Sequence, residues 1–150
     1  MKCSTPLFLL APLALAALSL PTFLGPPASA ATQIVEGGLD ESMQTLQAGM
    51  KGLDKALGKS EIGKALELVS GMQKAAHEAK HGIPEKAATV TDAAEKAKFM
   101  SGYRLKLIEL ERGLLDVEAA LIEGKVEDAQ KALDTKVKPV KKSGHDAYKD

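Results

Sequence analysis

Four stretches of this sequence repeat their apolar residues every three or four positions, the breaks between them are short, and no run alternates for long enough to make a strand. These observations predict an all-α fold, an antiparallel up-down-up-down four-helix bundle, because short connections make consecutive helices antiparallel neighbours.

The chain opens as an export signal over residues 1–30, with Lys2 as the positive start, an apolar run from Leu7 to Leu20, and small residues at Ala28-Ser29-Ala30 for cleavage. Pro12, Pro21, Pro26 and Pro27 interrupt that apolar region, and it is too short for a comfortable transmembrane span. The expectation is therefore a periplasmic protein whose mature chain, residues 31–150, is one domain with no membrane span. Cys3 is the only cysteine and leaves with the signal, so the mature core has no disulfide, thiolate metal site or thioether-linked cofactor. The formal charge of the whole chain is zero, and losing Lys2 leaves one net negative charge. Lysines and glutamates are interspersed rather than clustered, which argues against a nucleic-acid partner.

The first helix carries its stripe at Leu39, Met43, Leu46, Met50, Leu53 and Leu57, and Gly58 is expected to end it. The second restarts after Ser60 and buries Ile62, Ala65, Leu66, Val69, Met72 and Ala76 until Gly82-Ile83-Pro84 stops it. From Glu85 to Val90 the pattern lapses. Thr91 or Asp92 then caps the third and longest helix, with Phe99, Met100, Tyr103, Leu107, Leu110, Leu114, Val117 and Leu121 on its apolar face. Gly124 closes it, and Lys125 leads into a last helix through Val126, Ala129, Leu133, Val137 and Val140.

In this topology the start of the first helix and the end of the fourth share one end of the bundle. Met43 and His145 each lie about four positions inside their helices, roughly 6 Å deep at 1.5 Å per residue. Neighbouring axes in bundles are roughly 8 to 10 Å apart, so one side chain from each wall could hold a single metal between them. A thioether facing an imidazole is the axial pair of a haem iron. Met72, Phe99 and Tyr103 fall within roughly 15 Å of the same end, a wall suited to a flat macrocycle.

Leu39-Asp40-Glu41-Ser42-Met43-Gln44-Thr45-Leu46, Phe99 with Tyr103, Glu123-Gly124-Lys125-Val126-Glu127-Asp128-Ala129-Gln130, and His145 with Tyr148, in that order, resemble the soluble cytochrome b562 family. The similarity covers nearly the whole mature chain. It implies one non-covalent haem b, with Met43 and His145 as axial ligands to the iron, in an electron carrier that is not an enzyme, acts as a monomer and passes electrons to redox protein partners. Met72, Phe99 and Tyr103 match haem contacts, Leu46 and Met50 lie on the Met43 stripe, and Lys141 matches a basic position near the haem edge. A related class with covalent haem ends in C-x-x-C-H; here those positions are Lys141, Lys142, Ser143, Gly144 and His145, so both thiols are absent.

The chain departs from the family pattern by helices nearly a turn longer towards the far turns, and by one extra residue before His145 in a helix interrupted by Pro139. At 100° per residue a regular helix puts His145 about 120° round from Leu133, off the buried stripe. Pro139 cannot donate to the carbonyl of Thr135, so a single π-type bulge is expected there, absorbing the extra residue and turning His145 inward.

Two other readings compete. A haem-free periplasmic bundle could bind a protein or a metal. His77-Glu78-Ala79-Lys80-His81 also matches the H-E-x-x-H pattern of zinc hydrolases, in which two histidines one turn apart bind metal and the glutamate activates water. Against it, the stripe of the second helix leaves His77 at its margin and His81 near solvent, with no evident third ligand.

Overall fold

The computed structural model describes residues 38–149; the export signal proposed for residues 1–30 lies outside the described residues. Everything described is helix or connecting turn, with no strand among the described residues. The helices are α1 (Gly38–Gly58), α2 (Ile62–Ala79), a single helical turn α3 (Lys86–Thr89), α4 (Ala93–Ile122), α5 (Val126–Ala132) and α6 (Lys138–Tyr148). Between α5 and α6, residues Leu133–Val137 form a π-helical segment, so the chain from Val126 to Tyr148 runs on as one rod.

The apolar stripes become the core. Leu46, Met50, Leu53 and Leu57 of α1 pack with Ala65, Val69, Met72 and Ala76 of α2, with Leu107, Leu110, Leu114, Val117 and Leu121 of α4, and with Ala129, Leu133, Val137 and Val140 of the last rod. Met43 is the exception in its stripe at 37% exposure, whereas Leu46 and Met50 on the next two turns are almost fully buried. Small residues set the distance between α1 and α2, since Met72 fills the space over Gly49 and Leu68 that over Gly52.

Helices α1 and α4 end in the same way. The N–H of Glu61 bonds the carbonyl of Ala56 and that of Ser60 the carbonyl of Leu57; at the other turn Lys125 bonds Ala120 and Gly124 bonds Leu121. This paired pattern needs a left-handed residue after the helix. Gly124 supplies it at φ 73°, but in the first turn it is Ser60 at φ 57°, not the expected Gly58, which remains helical. Asp92 caps α4 as expected, its carboxylate accepting from the N–H of Glu95 at 2.8 Å.

The π segment lies where the sequence places it. The N–H of Lys138 bonds the carbonyl of Leu133, five residues back, immediately before Pro139. A proline one residue on has no N–H to continue a regular ladder, so the wider turn loses little by forming there. Absorbing one residue brings His145 from about 120° to about 20° of the Leu133 direction.

Candidate functional site

A cavity of about 250 Å³ opens between the first turns of α1, the chain after α2, the first half of α4, and α6. Met43 and His145 both line it, from opposite ends of the described chain. Its depth is apolar: Leu46 and Met50 of α1, Leu107 and Leu110 of α4 and Val140 of α6 are each less than a tenth exposed. Its rim is polar, with Lys106, Lys141 and Lys149 on one side of the charge balance and Asp40 and Glu85 on the other.

Met43 stands out of the core because it borders the open cavity, while Leu39, a turn nearer the start of α1, is partly covered against Gly82. His145 likewise follows Val140, the last buried residue of α6, and is exposed while facing the cavity. A soft thioether and an imidazole thus border one apolar opening, both side chains of types that bind transition metals.

An aromatic cluster fixes the end of α6. The Tyr148 ring meets Phe99 edge-on at 5.0 Å and Tyr103 at 5.5 Å between centroids, and its hydroxyl lies close over Gly102, where a side chain would collide with it. Tyr148 is three residues beyond His145, so this anchor also limits the freedom of the histidine's helical turn. Tyr103 is 2% exposed and donates its hydroxyl to the carbonyl of Ala79 at 2.8 Å, tying α4 to the end of α2. Burial pushes its phenol well above the ordinary tyrosine range.

Of the residues expected at the site, Met43, Leu46, Met50, Tyr103, Lys141 and His145 line the cavity. Met72 does not: it is fully buried at the α1–α2 contact, where Gly49 leaves room for its thioether. Phe99 is not part of the lining either, because Tyr148 occupies the position in front of it and Phe99 serves as its support. Leu39, Pro84, Leu107, Leu110, Val140 and Tyr148 also line the opening. Four of these were already on the predicted stripes, one or two turns from Met43, Tyr103 or His145. Tyr148 enters through the family resemblance, and Pro84 reads from the sequence only as a helix stop.

His77, in the last turn of α2, and His81, in the turn that follows it, are both exposed and take no part in this cavity. Among the described residues no three histidine, cysteine, aspartate or glutamate side chains are gathered as a metal centre, and the exposed H-E-x-x-H segment lies outside the apolar opening. No helix among the described residues is long and apolar enough to cross a membrane.

A search of curated proteins finds no match to the chain. The family model for cytochrome b562 matches residues 38–149, the whole of the described region and about three quarters of the sequence. With its helical stripes and this match over three quarters of its length, the chain belongs to the cytochrome b562 family.

Proposed function

We propose that this protein is an exported electron carrier that holds one non-covalent haem b between Met43 and His145, in an up-down-up-down bundle formed by α1, α2, α4 and the rod from α5 to α6. The observation that carries the reading is the shared apolar cavity lined by both side chains. The topology is supported by Leu39, at the start of α1, lying against Gly82, just past the end of α2.

When bound, the haem supplies a one-electron ferric–ferrous couple. The residues of the chain then have separate tasks. The thioether of Met43 and an imidazole nitrogen of His145 would hold its iron, and a thioether–imidazole donor pair would favour the reduced form. Leu46, Met50, Leu107, Leu110 and Val140 keep water from the ligands. Lys141 and Lys149 at the rim supply positive charge for carboxylate groups of the cofactor. The exposed lysines Lys141 and Lys149 at the rim leave the opening of this cavity accessible to a redox partner. Nothing in this arrangement requires a catalytic acid, base or nucleophile.

The test is the absorption spectrum of the mature chain reconstituted with haem b, oxidised and reduced. Low-spin, six-coordinate bands are expected, and Met43→Ala and His145→Ala should each convert them to a five-coordinate, high-spin form. If both variants kept the low-spin spectrum, or the parent chain took up no haem, the axial assignment would fall.

A further inference from the structure

We propose that His77 and His81 form a second, independent site: a surface chelate for a divalent transition-metal ion, taking Cu²⁺ in preference to Zn²⁺.

The two histidines are four residues apart, His77 in the last turn of α2 and His81 two residues past its end, where the i→i−3 bond of the His81 N–H to Glu78 continues the chain as a tight turn. Their rings meet edge-on with centroids 5.7 Å apart. Two imidazole nitrogens bound to one ion at about 2.0–2.1 Å place the ring centres about 4.5 to 5.2 Å apart. The free pair is thus about 0.5 to 1.2 Å wider than the chelate, a gap that small side-chain torsions close.

The backbone beneath the pair is already ordered. The N–H of His81 bonds the carbonyl of Glu78, that of Gly82 bonds Ala79, and the same Ala79 carbonyl accepts the hydroxyl of the buried Tyr103. Metal binding therefore has only side-chain rotamers to order. Glu111 of α4 completes the arrangement. One of its oxygens accepts Nζ of Lys80 at 2.7 Å, which leaves the other 3.9 Å from Nδ1 of His77. At 3.9 Å this is longer than a hydrogen bond; a rotamer change on metal binding that closes it orients the imidazole and leaves Nε2 for the ion, as the outer partners of metal-bound histidines do.

Nitrogen donors select copper, zinc and nickel over magnesium and calcium, and affinity for a given set rises to its maximum at Cu²⁺. With two protein ligands, water fills the remaining positions. Glu78 is directed to Lys74 on the same helix, at 3.9 Å, and both histidines are exposed to solvent. The site is therefore a chelator and not a peptidase centre.

Titration of CuSO₄, ZnCl₂ and MgCl₂ into the mature chain, with and without haem b, by calorimetry tests this. One Cu²⁺ per chain is expected, with weaker Zn²⁺ and no Mg²⁺ binding. His77→Ala and His81→Ala should each weaken Cu²⁺ binding by at least about tenfold, the scale of lost metal partners, and Glu111→Gln by about tenfold. His145→Ala should leave this site unchanged, which separates it from the haem reading. Copper binding that is absent, or that survives loss of both His77 and His81, overturns the proposal; unchanged affinity in Glu111→Gln overturns the part given to Glu111. All three positions are polar and lie outside the core, and melting curves of each variant confirm that the fold is intact.

Discussion

Replacing Tyr103 by phenylalanine isolates one hydrogen bond and one buried ionisable group. The hydroxyl donates to Ala79 O, but that carbonyl also accepts the N–H of Gly82 at 3.0 Å, so removing the phenol leaves no orphaned acceptor. A neutral intramolecular hydrogen bond contributes about 0.5 to 1.5 kcal/mol, and a retained second partner puts the expected loss near the lower end, about 0.5 to 1 kcal/mol at pH 7. The pH dependence carries the opposite sign. Burial raises the folded-state pKa of Tyr103 above that of the unfolded chain, so below about pH 10 both states keep the proton and no penalty arises. Above it the unfolded state releases a proton that the folded state retains, and stability falls by at most about 1.4 kcal/mol per pH unit. Tyr103→Phe lacks that loss, so the parent and variant curves should converge and cross within roughly a pH unit above 10. Urea unfolding of the chain without added haem, from pH 7 to 11, measures both quantities while keeping ligand mass action out of the comparison. A difference between parent and variant that stays constant with pH would refute the assignment of a buried, neutral phenol. A loss above about 3 kcal/mol would show that Ala79 O has no adequate second partner.

Ser60→Gly should stabilise the protein by about 0.5 to 1 kcal/mol, because a left-handed residue with a side chain costs about 1 to 2 kcal/mol and the greater freedom of glycine when unfolded returns part of that; the shift of the urea midpoint reads it directly. Deleting Thr135, an exposed residue of the π segment, should convert that segment to regular α-helix and leave His145 facing the cavity, with the haem spectrum unchanged. If the spectrum is instead lost while the helix content is retained, the segment is not what absorbs the extra residue. The axial-ligand variants at Met43 and His145 and the copper titration complete the set.

Much of the fold was legible because periodicity reports burial: Leu53, Val69, Leu114 and Leu133 all occupy stripes and all are fully buried. The π segment was legible for a different reason, since a proline and a one-residue surplus together leave few regular solutions. What periodicity does not carry is which stripe residues remain uncovered. Met43 and Met72 look alike along the chain, yet one borders the opening and the other disappears into the α1–α2 contact, because only Gly49 across the interface decides it. The stop after α1 misled in the same way. Gly58 has the expected residue type, but the hydrogen bonds of the turn place the left-handed position two residues later, on Ser60. Glu111 beside His77 depends on the register of α4 against α2, which neither helix encodes alone. The short α3 turn is held by burial of Pro84 and Ala87, too few apolar residues to show a period.

The wide turn at Leu133–Val137 gives the last rod slack: its residue count can change by one while the angular phase of everything downstream is kept. Insertions and deletions need not then be confined to loops. An alignment that places every gap between helices would shift all residues downstream of such a change, His145 among them, by one position. A gap opened inside the helix, at the wide turn, restores the match.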